Sequence, residues 1–199
     1  MTSEQRTSGQ YAVVAVASSA GGIQALAKIL GDLGKKLPVP VLVVQHLDPR
    51  HRTLLAEVLA RRTELTVKLA RDQETVEPGT VYLAPPDRHL LVSPEGTLSL
   101  SNSKLVHFVR PSADLLFESV AGAYGEGAIA CVLTGTGVDG AMGVDAVRSQ
   151  GGTVIVQDPE TAQFDGMPSA AVATGAADFV LRLEEIAAAI RGLVESKRQ

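Results

Sequence analysis

The sequence predicts an α/β fold: a mostly parallel sheet flanked by helices on both faces, an α/β/α sandwich with a small edge hairpin. Three observations lead there. Short runs rich in Val and Ile recur along the chain, they are apolar throughout rather than alternating, and longer helix-period segments separate them. The runs are 11–17 (YAVVAVA), 39–45 (VPVLVVQ), 80–84 (TVYLA), 128–134 (AIACVLT) and 152–157 (GTVIVQ). Unbroken apolar runs are what strands covered on both faces require. Helices are expected at 22–32, 52–62, 112–124, 138–149 and 183–195. Residues 88–108 break the rhythm. There HLLVSPEGTLSL reads as two short strands around a Pro-Glu-Gly turn, a hairpin at the sheet edge.

The bulk composition bounds the function. The chain has 199 residues, 45% hydrophobic and 20% charged, with a net charge of −4. That suits a single domain with a sizeable core, expected over 11–195, preceded by a disordered lead-in at 1–10 and followed by a frayed tail at 196–199. The mild acidity argues against nucleic acid or an anionic membrane as partner. No run of about 18 apolar residues occurs, so no membrane insertion is expected. The N-terminus MTSEQRTSGQ lacks the apolar core of an export signal, which points to a cytoplasmic protein. Cys131 is the one cysteine. It cannot form an intramolecular disulfide or by itself a zinc site, and inside AIACVL it reads as a small core residue. Neither a metal nor a cofactor is expected.

Ligands of open parallel sheets bind beyond the carboxyl ends of the strands. The residues just past each apolar run are therefore informative. Ser18 and Ser19 come after the first run, His46 after the second, and Pro85, Pro86 and Asp87 after the third. Asp139, within GTGVDGAMG, comes after the fourth and Asp158 after the fifth. A hydroxyl, an imidazole and carboxylates thus emerge on one edge. Acyl transfer needs these groups: a base to take the serine proton, and a carboxylate to fix the base's tautomer. Glycines beside the serine let the chain turn sharply and aim backbone N–H groups at a developing oxyanion.

Simpler roles exist for each group. A serine before Gly-Gly is also an ordinary helix N-cap. His51 and His107 fall in loop or helix-start positions and read as solvated, while His89 begins a short strand and is structural or site-lining. Asp139 suits a turn and Asp158 a cap over PETAQF, and spacing alone does not choose between the two acids. A strand, a glycine turn and a helix also describe a nucleotide site, but G-x-G-x-x-G and G-x-x-x-x-G-K-[ST] are both absent. The G-x-S-x-G elbow is absent too, so a triad here would run Ser…His…Asp.

That order and its surroundings resemble the catalytic domain of the chemotaxis protein-glutamate methylesterases (CheB type) over residues 11–190. AVASSAGGIQAL is similar to the family's nucleophile block and VVQHLDP to its base block. PGTVYLAPPDRHLLV and VRPSADLLFESVA resemble two blocks that shape the domain, LTGTGVDGAMG the acid block, and QDPETAQFDGMPSAA carries the family's Gly-Met-Pro. The resemblance implies Ser19 as nucleophile, with Ser18 its neighbour, His46 as base, and Asp139 rather than Asp158 as acid. It leaves Ala20, Gly21, Thr136, Gly137 and Met167 as oxyanion or site-lining candidates.

The implied reaction is hydrolysis of glutamyl methyl esters on the cytoplasmic helices of methylated chemoreceptors or a similar protein substrate, with glutamine deamidation as a second activity. Such an enzyme serves adaptation in bacterial chemosensory signalling. The alternative is a non-catalytic regulatory or binding module on the same fold. Thr136 stands where the family usually has Met, Ala17 where Gly is common and Ala20 where Thr is. Many relatives carry an N-terminal receiver domain, and none is expected here.

Overall fold

The computed structural model describes residues 10–47 and 53–196. All but Gln10 of the expected lead-in lies outside the described residues, as do all but Ser196 of the tail, and His51. In chain order the elements are β1 (Val13–Ser18), α1 (Gly22–Leu33), β2 (Val41–Gln45), α2 (Leu55–Ala60), β3 (Thr66–Leu69), β4 (Thr80–Leu83), β5 (His89–Val92) and β6 (Leu98–Ser101). Next come α3 (Ala113–Tyr124), β7 (Ala128–Val132), α4 (Ala141–Ser149), β8 (Thr153–Gln157), α5 (Gly166–Ala173), β9 (Phe179–Leu181) and α6 (Leu183–Ser196).

Seven strands form one sheet in the order β3-β4-β2-β1-β7-β8-β9, and every neighbouring pair is parallel. The five apolar runs supply its β1, β2, β4, β7 and β8. Two further strands carry no such run. Both β3, half-polar, and β9, three residues long with Phe179 and Val180 exposed, lie at the edges, where one-sided burial removes the apolar signal. The short helix α5, GMPSAAVA, likewise has no counterpart among the expected helices. The hairpin β5–β6 is antiparallel, as its sequence suggests. It joins neither edge of the main sheet and stands as a sheet of its own, with β5 against α3.

The strand period of two divides the core. Val14 and Val16 of β1 lie among Leu26, Ile29 and Leu30 of α1 and Ile186 and Ile190 of α6. Ala15 and Ala17 point the other way, to Phe117 and Val120 of α3. Alanine on that face lets α3 lie close to β1. Cys131, in β7, is fully buried, and burial pushes its thiol up to about 12, which leaves it an inert core residue.

Two chain directions diverge at the centre of the sheet. From β1 the chain moves to β2, on one side, whereas from β7 it moves to β8, on the other. The crevice beyond the carboxyl ends of β1 and β7 is therefore the topological switch point, where such sheets bind ligands. Its outer wall is the contact of α3 with α4. A methyl group at Gly143 would stand 2.6 Å from Phe117 Cβ and 3.0 Å from Asp114 Cα, so the helices approach at a residue without one. Gly143→Ala should lower the unfolding free energy by about 1–3 kcal/mol through overpacking, read as a lower urea midpoint at constant m value. An unchanged midpoint would show that α3 and α4 can part without cost.

Candidate active site at the switch point

The first turn after β1 is set by its glycines. Gly21 takes φ +74°, a left-handed conformation that favours a residue without Cβ, and it starts α1. A Cβ on Gly22 would lie 2.7 Å from Ser18 Oγ, so only glycine fits over that hydroxyl. Ser18 is fully buried and donates to Gln45 Oε1 at 2.6 Å. Ser19, the next residue, is partly exposed, and its N–H donates to the Thr134 carbonyl just past the end of β7. Among the described residues Ser19 Oγ makes no hydrogen bond. One serine is a strut; the other is presented to the crevice.

His46 comes directly after β2, and its N–H donates to the Ser18 carbonyl. The side chain of Gln45, 5% exposed, ties this corner together. Its Nε2 donates to the carbonyls of both Ser19 (2.8 Å) and His46 (2.9 Å) while its Oε1 accepts from Ser18. Gln45 fixes two neighbouring backbones with one amide. As the last residue of an apolar run it carries no sequence signal of this role.

Asp139 reaches the same crevice from the loop after β7. Its Oδ2 lies 2.8 Å from His46 Nε2, across 93 residues of chain. Oδ2 also accepts the N–H of Ala113 (2.6 Å), and Oδ1 accepts Ser112 Oγ (2.8 Å) and the N–H of Asp114 (3.1 Å). Burial alone would raise the Asp139 pKa. The hydrogen bonds from His46, Ala113 and Asp114 outweigh it, with help from the imidazole's charge, and hold the carboxyl below its ordinary value.

The other strand-end groups go elsewhere. Asp158 accepts the Glu160 N–H in a local turn, and Asp87 pairs with the Arg110 guanidinium. His89 is fully buried, accepting the Ser112 N–H on Nδ1 and bonding the Lys104 carbonyl through Nε2, so it supports the site indirectly. His107 is exposed, as its loop position suggests, yet it is not merely solvated: its Nε2 lies 3.0 Å from the buried carboxylate of Asp114.

Of the oxyanion candidates, the N–H groups of Ala20, Gly21, Thr136 and Gly137 make no hydrogen bond among the described residues. The N–H of Met167 is spent on the Gly135 carbonyl, and the side chain is buried against Gly135, so Met167 walls the site from below. Thr136 is exposed at the lip. Among the described residues no group of three or more His, Cys, Asp or Glu is placed to hold a metal ion, and no helix is long and apolar enough to cross a membrane.

The CheB methylesterase family profile matches residues 14–190. The chain belongs to the CheB methylesterase family. Its fold is that of the Thermotoga maritima CheB methylesterase catalytic domain, whose crystal structure is 39% identical with a TM-score of 0.87, over 94% of this chain and 99% of that one. A putative protein-glutamate methylesterase/protein-glutamine glutaminase of Leptospira interrogans (strain Fiocruz L1-130) is 38% identical over 89% of this chain and 92% of its own length. Other CheB-type relatives are longer. Protein-glutamate methylesterase/protein-glutamine glutaminase 3 of Anaeromyxobacter dehalogenans is 46% identical over 88% of this chain but 52% of its own length. Protein-glutamate methylesterase FrzG of Myxococcus xanthus is 40% identical over 93% and 55%. The chain thus spans nearly all of one relative and about half of the others.

The depressed carboxyl has a measurable consequence. The folded value of Asp139 lies below the unfolded value of roughly 3.9. Its share of stability is therefore complete above that pH and is lost as pH falls through the folded value. In thermal melts between about pH 5 and pH 2, Asp139→Asn should lose less Tm than wild type does. Parallel acid slopes would show that Asp139 is not held in its charged form.

Proposed function

We propose that this CheB-family domain is a serine carboxylesterase that hydrolyses glutamyl methyl esters on chemoreceptor-like proteins, with Ser19 as nucleophile, His46 as base and Asp139 as the orienting acid. The observation that carries the reading is the His46–Asp139 hydrogen bond at the switch point, one strand from a Ser19 hydroxyl that has no hydrogen bond among the described residues.

The chemistry depends on which ring nitrogen is used. Asp139 takes Nε2 as its hydrogen-bond partner, which leaves Nδ1 of His46 as the acceptor for the Ser19 proton. Ser19 Oγ attacks the ester carbonyl as Nδ1 takes that proton, and the carbonyl electrons move onto the oxygen. N–H groups of Ala20 and Gly21, or of Thr136 and Gly137, meet that charge. The C–OCH3 bond then breaks, methoxide takes the proton from Nδ1, and methanol leaves. Water attacks the acyl-enzyme with Nδ1 again as base, releasing the glutamate carboxylate and the Ser19 hydroxyl. A glutamine substrate would take the same path with ammonia leaving. Nothing in either half-reaction calls for a metal or cofactor.

A protein substrate fits the rim. Phe108 is 94% and Met142 63% exposed, and Ile23, Val138 and Phe164 are exposed as well; Ile23 follows the Ser19 turn and Val138 adjoins Asp139 in the chain. Apolar groups left in water beside a reactive centre suit a polypeptide substrate better than a small polar one. We assign the domain to the cytoplasm, where receptor methylation sites lie.

The test is methanol release from methylated receptor cytoplasmic fragments. Ser19→Ala should lower kcat by roughly four orders of magnitude, with Ser18→Ala far milder in its effect. The wild-type rate should fall on the acid side as His46 takes up a proton. Equal release by wild type and Ser19→Ala would remove Ser19 from the mechanism, and a flat profile from about pH 5 to 8 would remove His46.

A further inference from the structure

Asp114 is a buried charged group that this mechanism leaves unused. It stands in the first turn of α3 and is 2% exposed. Its Oδ1 accepts the N–H groups of Gly140 (3.0 Å) and Gly143 (2.7 Å), where α4 begins, and its Oδ2 lies 3.0 Å from His107 Nε2. Asp139 does the reverse: from the loop before α4 it accepts donors from Ser112, Ala113 and Asp114, where α3 begins. Two carboxylates exchange helix N-termini. Each is borne by the segment whose neighbour it holds, and each sits at the positive end of a helix dipole.

An ordinary cap would not need this charge, since serine or asparagine caps a helix as well. The carboxylate is electrostatically awkward here. Burial pushes Asp114 above the ordinary carboxylate range, and the Asp139 charge adds to that, against the Gly143 amide, His107 and the Gly140 amide. Glu118, one turn along α3, is likewise raised, by burial and by the Asp114 charge. Among the described residues, His46 bonds Asp139 and His89 accepts the Ser112 N–H at this crossing.

His107 is held in place against its own backbone preference. It adopts φ +48° and Phe108 φ +64°, inside a tight turn closed by reciprocal hydrogen bonds between Val106 and Val109. Two consecutive residues with Cβ atoms disfavour this left-handed region, and such strain persists where surrounding contacts impose it. The contact from His107 to buried Asp114 is one that does so.

We propose that Asp114, with His107 on its outer oxygen, is a positioning residue that fixes the Asp139 carboxylate against His46 by clamping the junction between the Asp139 loop and α4. The proposal rests on reading Asp139 as the triad acid.

Two variants separate clamp from cap. Asp114→Asn keeps an oxygen for Gly140 and Gly143 but loses the charge, whereas Asp114→Ala loses both. NMR titration of His46 in the free protein needs no substrate; kcat and KM add the catalytic readout. In the free protein, Asp114→Asn should give a His46 titration curve that differs from that of wild type, because the clamp on the Asp139 loop is weakened. Its kcat should fall about tenfold and that of Asp114→Ala about a hundredfold, with KM unchanged, as for a displaced catalytic group. His107→Ala should cost several-fold in kcat, and His107→Gln, which keeps a donor for Oδ2, should restore it.

The proposal is overturned if Asp114→Asn leaves the His46 titration and kcat at wild-type values while Asp114→Ala lowers only Tm. Should Asp114→Ala not fold, Asp114→Asn decides alone. If wild type releases no methanol, the methylesterase reading fails, and the His46 titration still decides the role of Asp114.

Discussion

A carboxylate withdrawn from water needs a donor for the lone pairs it turns inward, and at Asp139 that requirement arranges the carboxyl edge of the sheet. Four donors meet it: the His46 ring, the Ser112 hydroxyl and two backbone amides. Three of the four come from the start of α3. The helix therefore has to begin at this crevice, and the close approach of α3 to α4 at Gly143 makes that possible. With the carboxyl held towards its charged form, the His46 ring turns its Nε2 to Asp139. The geometry of the His46 ring is thus a consequence of how a buried charge is solvated by protein.

The Ser19 side is built on a different principle. Among the described residues, backbone groups there are held by neutral side chains. Gln45 joins the carbonyls of Ser19 and His46, Ser18 completes the amide's bonding, and Gly22 leaves room for both. Gln157 plays a comparable part at β8, accepting the Thr134 N–H through Oε1. Strand-end amides thus act as rigid spacers between the loops that carry the reactive groups. Among the described residues, the Ser19 hydroxyl and the N–H groups beside it have no hydrogen-bond partner.

The central strands are legible in the sequence because double-sided burial writes itself as unbroken Val and Ile. The edge strands β3 and β9 are not, because an exposed edge carries no such mark. Ser19, His46 and Asp139 can be read as strand-end groups, and block order then chooses among the acids. Pairing across long chain separations leaves no such trace. Asp114 in a first helical turn has an ordinary reading, since acids are common there. Gln45 looks like the tail of a strand, and His107 like a loop residue. Each gains its role from a partner brought near by packing, and no local pattern encodes that.

The switch point also bears on how the chain matures. Val14 of β1 lies beside Val41 of β2 and also beside Ile129 of β7. Hydroxyl and imidazole can meet early, across neighbouring strands, but the acid arrives only after the whole β2–α3 excursion has been laid down. A growing polypeptide therefore carries this serine and histidine for 93 further residues before Asp139 is made. Long-range parallel pairing is slow to form. The three groups are thus brought to one crevice only once β7 has joined β1.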